Sequence, residues 1–161
     1  MSEKLKNLLL SILSVVITGS ICSYFSRQGV SGWYSQMITS NLTPPNYVFS
    51  AAWSIIYILL IISFYRILET PHRLRSEAVN LFAEQLLIQI LWCVLFFYFK
   101  QVLLGAVIML WLIYTVFLMI RTFLQIDVIA GSLNYFYFLY ICFATFLNFS
   151  FLYYNGYIVN I

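Results

Sequence analysis

Charge is what this sequence has least of. Eight Lys or Arg and five Asp or Glu amount to 8% of 161 residues, where a soluble domain usually carries about 25%. So few charges cannot cover a water-facing surface, which argues against a soluble globular fold. The basic residues are scattered and the formal net charge is only +3, so nucleic acid has no electrostatic footprint here. There is one histidine, His72, and it lies among charged residues. The three cysteines, Cys22, Cys93 and Cys142, are widely spaced inside apolar stretches. That pattern suits buried thiols and argues against zinc ligation or a disulfide framework. No nucleophile stands with a partner base, and no glycine-rich phosphate loop is present. Hydrolytic, metal-dependent and nucleotide-dependent chemistry therefore lack their residues.

What the sequence has instead is apolar length. With 63% hydrophobic residues, it offers five runs long enough to cross a hydrocarbon core of about 30 Å at 1.5 Å per residue. They read as Leu8 to Tyr24, Tyr47 to Tyr65, Ala78 to Phe99, Val102 to Ile120 and Val128 to Tyr154. The expected fold is an all-α membrane protein, a five-transmembrane-helix bundle in one domain over residues 1–161. Lys4 and Lys6 before the first run resemble a signal peptide, but Ile21 precedes Cys22 where cleavage wants a small residue, so residues 1–25 read as a retained helix. Residues 26–46 form the long connection, a candidate lid, and Pro44-Pro45 pre-sets an extended lead into the second helix. Residues 67–77 read as a solvated loop, while the links near Lys100 and Gln125 are short enough to make the last three helices antiparallel neighbours. Glu84 and Asp127 are the acids nearest membrane depth, and placement at the interface or a helix start accounts for each. Lys4, Lys6, Arg66, Arg73, Arg75 and Arg121 fall on one side, against Arg27 and Lys100 on the other, which favours an N-inside, C-outside orientation.

Helical spacing then locates polar and aromatic stripes. Asn46, Ser50, Trp53 and Tyr57 step by four, three and four along one face of the second helix. Gln85, Gln89 and Trp92 repeat the pattern in the third, and Tyr137, Tyr140, Ala144 and Asn148 in the fifth. A cavity lined in this way suits a flat, partly polar aromatic ligand. The same residue types also serve as interhelical packing and hydrogen-bond glue, so periodicity alone leaves both readings open. Small-residue pairs such as Gly19-x-x-x-Ser23 and Gly105-Ala106 allow close packing, either within the bundle or between copies.

The residues Trp33-Tyr34, then Thr43-Pro44-Pro45-Asn46-Tyr47-Val48-Phe49, then Ala52-Trp53-Ser54-Ile55-Ile56-Tyr57 resemble the signature of the TspO/MBR family. Gln85 to Trp92 with Phe96-Phe97, and Phe143-Ala144-Thr145-Phe146-Leu147-Asn148, are similar to later parts of that pattern, so the likeness spans about residues 10–155. The departures fall at Thr39-Ser40 in place of Lys-Pro, Leu42 in place of an aromatic, and Tyr47 and Tyr140 in place of Trp. Gln89 also replaces Asn, and Phe136 replaces Pro.

The resemblance implies a five-helix bundle, often dimeric, that binds porphyrins, haem-like tetrapyrroles and some drug-like molecules. On that reading Trp33, Asn46, Trp53, Tyr57, Gln89, Tyr137, Tyr140, Ala144 and Asn148 line the site. Trp53, Tyr137 and Tyr140 stack on the ligand, Asn46, Gln89 and Asn148 hydrogen-bond it, and Ala144 leaves it room. No cofactor is required, and the partners are membrane lipid, a tetrapyrrole or drug-like molecule, and a second copy of the chain. The membrane is a bacterial cell membrane, or an organellar one in a eukaryote. Two alternatives stand beside this sensory, regulatory or carrier role. One is light-dependent porphyrin breakdown through Trp53, which Tyr140 weakens because Tyr is oxidised less readily than Trp. The other is a structural or partner-binding subunit.

Overall fold

The computed structural model describes residues 2–156. Five helices cross the molecule: α1 (Glu3–Ser31), α2 (Asn46–Glu69), α3 (Arg75–Cys93), α4 (Val102–Ile126) and α5 (Val128–Asn155). All five are long and apolar enough to cross a membrane, and no strand occurs among the described residues. Neighbour contacts close them into a ring in the order α1, α2, α5, α4, α3, with α2 and α3 also meeting across it. Large apolar side chains on the outside, among them Leu13, Ile17, Ile58, Leu87 and Leu139, are more than half exposed. That surface needs lipid as its solvent, so the bundle is an integral multi-pass membrane protein.

Four helices run further than the apolar runs indicate, while α3 begins at Arg75, ahead of the expected Ala78, and ends at Cys93, short of the expected Phe99. Ser2 caps α1, accepting from the Leu5 amide at 3.3 Å, and the helix continues to Ser31 because nothing between Ser26 and Gly32 breaks it. The expected loop 26–46 thus shrinks to residues 32–45, with a short 3-10 turn at Tyr34–Gln36. Similarly α2 extends to Glu69, since Ile67 and Leu68 are buried and Arg66 finds a partner, so the expected loop 67–77 reduces to residues 70–74. The α4 helix continues past Ile120 because Thr122 and Phe123 pack inward, and Asp127 alone links it to α5.

Asp127 accepts from the Ala130 amide at 2.8 Å, capping α5, and takes both an Nε and a terminal guanidinium bond from Arg66 at 3.2 and 2.7 Å. Burial pushes its carboxyl up, but the Arg66 hydrogen bond, the backbone amides of Ala130 and Ile129 and the Arg66 charge outweigh this. Its pKa accordingly lies below the usual carboxylate range. Glu84 departs from its expected interfacial place. It is the tenth residue of α3, about 14 Å along the axis, and it accepts from Trp111 Nε1 at 3.2 Å and Thr115 Oγ1 at 3.3 Å on α4.

The end of α3 is the least regular part. Val94–Tyr98 form a π turn in which the Phe99 amide donates to Val94 O at 3.0 Å. The wider turn brings the consecutive residues Phe96 and Phe97 both inward. Phe97 occupies the space beside Gly29 of α1, where an added Cβ would lie 2.5 Å from its ring. Lys100, in left-handed conformation at φ 58°, then turns the chain into α4.

Candidate ligand-binding groove

Two cavities flank the inward aromatics. The larger, about 940 Å³, has α1 and α2 as walls and α3 as floor. Ser20, Ser23 and Tyr24 on α1 and Ser50 and Ser54 on α2 line it and are exposed, so it is a groove open sideways through the bundle surface. The smaller, about 80 Å³, lies under the α1–α2 connection between α3 and α5. Phe49, Trp92 and Phe97 belong to both and form the partition.

The structure divides the nine sequence-predicted residues among three places. Trp53, Tyr57 and Gln89 line the larger groove. Gln89 is 1% exposed, its Nε2 donates to Tyr57 Oη at 3.0 Å, and its Oε1 has no partner among the described residues. Asn46, Ala144 and Asn148 line the smaller cavity. With its amide oriented to suit both neighbours, Asn148 accepts from Trp92 Nε1 and donates to Val102 O, each at 3.2 Å, tying α5 to α3 and α4.

Trp33, Tyr137 and Tyr140 line neither cavity. Tyr137 is fully buried, its hydroxyl donates to Gln85 Oε1 at 2.9 Å, and its ring lies 6.2 Å from that of Trp53. Tyr140 meets Trp53 edge-on at 5.8 Å and Phe49 at 6.1 Å, with its hydroxyl buried and unpartnered among the described residues. Both tyrosines thus back the Trp53 indole from α5.

Trp33 fastens the cover. Its indole donates to Phe97 O at 2.9 Å and its ring meets Phe151 edge-on at 5.7 Å. Tyr34 stacks on Phe151 at 5.1 Å and 5°. Asn155, at the last turn of α5, clamps the same connection, accepting from the Ile38 amide at 3.0 Å and donating to Ile38 O at 2.7 Å.

The groove also contains residues that the stripes left out, chiefly from α1. Cys22 and Cys93 are buried in it, and Cys22 donates to Gln89 O at 3.8 Å. Val15, Gly19, Cys22 and Ser26 line it at steps of four, three and four. That spacing marks a helix face as clearly as the α2 stripe does, but no aromatic or amide advertises it. Gly19 packs on Tyr57 and Gly105 on Phe96, so both small-residue patches serve contacts within the bundle.

A ring of five membrane-crossing helices, with an aromatic groove on one side and a pinned cover over one end, defines a class of polytopic membrane protein. Residues 11–154 match the TspO/MBR family, and the chain belongs to it. It is 36% identical over 100 residues to the tryptophan-rich protein TspO of Archaeoglobus fulgidus, covering 62% of this chain and 65% of that one. To the protein of the same name from Chlorobaculum tepidum it is 27% identical over 159 residues, 96% of this chain and 99% of the other. To the tryptophan-rich sensory protein of Cereibacter sphaeroides it is 31% identical over 120 residues, 73% of each chain.

Proposed function

We propose that this protein binds a flat, largely apolar tetrapyrrole, a porphyrin or haem-like molecule, in the groove between α1, α2 and α3, in a sensory, regulatory or carrier role. The observation that carries the reading is the groove itself. Its 940 Å³ falls within the roughly 300–1,000 Å³ of small-molecule sites. The 80 Å³ cavity is smaller than the about 150 Å³ void that admits benzene. Trp53, Tyr57 and Trp92 offer ring surfaces. Gln89 Nε2 donates to Tyr57 Oη at 3.0 Å and so holds that ring at the groove wall. The sensory name of one relative fits this role. On this reading Asn46, Ala144 and Asn148 stand behind the aromatic partition and act through it.

Tryptophan-fluorescence titration of the purified protein with protoporphyrin tests the proposal. Saturable quenching is expected, weakened at least tenfold by Ser54→Phe, which narrows the groove, and largely kept by Ala144→Phe. The reverse pattern would move the ligand to the smaller cavity. Non-saturating quenching in every variant would mean partition into the micelle and would sink the proposal.

A second reading, light-dependent breakdown of the bound porphyrin, draws on one feature: Trp53 lines the groove with the rings of Tyr57, Tyr137 and Tyr140 5.6–6.2 Å away. It requires porphyrin absorbance to bleach under illumination in air, and bleaching that survives Trp53→Phe unchanged would remove this reading.

A further inference from the structure

The groove has a polar direction. Its deep part holds Val15, Trp53, Tyr57 and Ile61, while at its outer end α1 contributes Ser26, Arg27 and Gln28. From Val15 to Arg27 is twelve residues, about 18 Å of helix. Arg27 alone among the lining residues carries a charge, and its guanidinium has no ion pair among the described residues.

The chain offers no acid to neutralise it. Glu3, Glu69, Glu77 and Asp127 all sit at the opposite end, where α1 and α3 begin and α2 and α4 finish. Glu84, the remaining acid, is engaged by Trp111 and Thr115 at mid-height between α3 and α4. Among the described residues the outer end therefore holds two cations, Arg27 and Lys100, and no acidic side chain. Arg27 also lies about 28 Å along α1 from Leu8, at the level where hydrocarbon gives way to headgroups. A charged pair formed there is screened less than one in bulk water.

From this geometry we infer that Arg27 is the specificity residue of the groove, and that the ligand is an amphipathic acid. Its apolar body lies against Trp53 and Tyr57 and its carboxylate meets the Arg27 guanidinium at the rim. A guanidinium matches a carboxylate with two parallel N–H donors. The inference rests on the groove being the binding site, and it adds which molecules the groove prefers and in which orientation. An arginine that merely anchors α1 at the interface would show no such preference.

Protoporphyrin and its dimethyl ester separate these cases, because they share the ring and differ in the acid. Both are titrated against the parent protein, Arg27→Gln and Arg27→Lys in nanodiscs of zwitterionic lipid. The parent should bind the acid about two- to fivefold more tightly than the ester, the range of an exposed ion pair of about 0.4–1 kcal/mol. Arg27→Gln should lose that preference while its ester affinity stays as in the parent, and Arg27→Lys should restore part of it. Equal binding of acid and ester by the parent, or an unchanged preference in Arg27→Gln, overturns the role of Arg27 and leaves the groove reading intact. Saturable binding of neither porphyrin overturns the groove reading, and this inference with it. Loss of the parent's preference when anionic phospholipid is added would mean that a lipid phosphate takes the guanidinium, which also overturns it.

Discussion

The clamp between Asn155 and Ile38 makes a sharp prediction about the cover. In Asn155→Ala both bonds to the Ile38 backbone disappear, the 3.0 Å one that the Ile38 amide donates to Oδ1 and the 2.7 Å one that Nδ2 donates to Ile38 O. Each is exposed to solvent, so each contributes toward the lower end of about 0.5–1.5 kcal/mol, and the pair about 1–2 kcal/mol. At tenfold per 1.4 kcal/mol, the open population of the cover should rise roughly 5- to 30-fold. Trp33 still holds Phe97 O, and Tyr34 still stacks on Phe151, so the opening is confined to the stretch after the 3-10 turn. Amide hydrogen exchange followed by mass spectrometry reads this directly. Peptides from residues 37–44 should exchange faster by that factor, while peptides from α2 and α4 keep their rates. Asn155→Asp, which retains the acceptor and loses the donor, should fall between. Unchanged exchange over 37–44 in Asn155→Ala would refute the clamp, and uniform acceleration across all helices would show that Asn155 supports the bundle.

Three further outcomes are expected. Because the folded carboxyl of Asp127 has a pKa below its ordinary 3.8, its stabilisation is complete above that value and is lost as pH falls through the folded value. Thermal unfolding in detergent should therefore weaken at acid pH, and Asp127→Asn, which keeps a capping side chain, should flatten that dependence. Gly29→Ala places a methyl 2.5 Å from the Phe97 ring and should cost about 1–3 kcal/mol; a melting temperature equal to the parent's would show that Phe97 yields freely. Asn134 donates to Ser63 Oγ at 2.7 Å and Ala130 O at 2.8 Å but leaves its own Oδ1 unpartnered among the described residues, and Ser63 keeps its own bond to Ala130 O. Asn134→Leu should thus change stability by less than about 1 kcal/mol, in keeping with the modest value of such bonds in membranes, and a larger loss would contradict that.

The number and order of the helices were legible because a lipid-crossing helix must be apolar over a length fixed by the membrane, and each run met that length. Their ends were not, since outside the hydrocarbon core a helix continues on partners that are distant in sequence. Arg66 extends α2 because Asp127 is there to meet it, and Thr122 extends α4 by donating to Glu77 at 3.4 Å. The π turn was invisible for a related reason: Phe97 needs the space left by Gly29, 68 residues before it, and Phe96 that left by Gly105. At the site, steps of three and four correctly joined Ser50, Trp53 and Tyr57 on one face. What spacing could not reveal was the aromatic partition that sends Ala144 and Asn148 into one cavity and Gln89 into the other.

The ring order also bears on how the protein is made. The groove's lining comes from α1, α2, α3 and the turn that follows α3, all of which precede α4 and α5 in the chain. It is α5, made after these, that must slide between α2 and α4, latch to α2 through Asn134–Ser63 and Asp127–Arg66, and set Tyr137 and Tyr140 behind Trp53. A chain halted after α4 would own every side chain of the groove and still lack its shape, so the groove is complete only once α5 is in place.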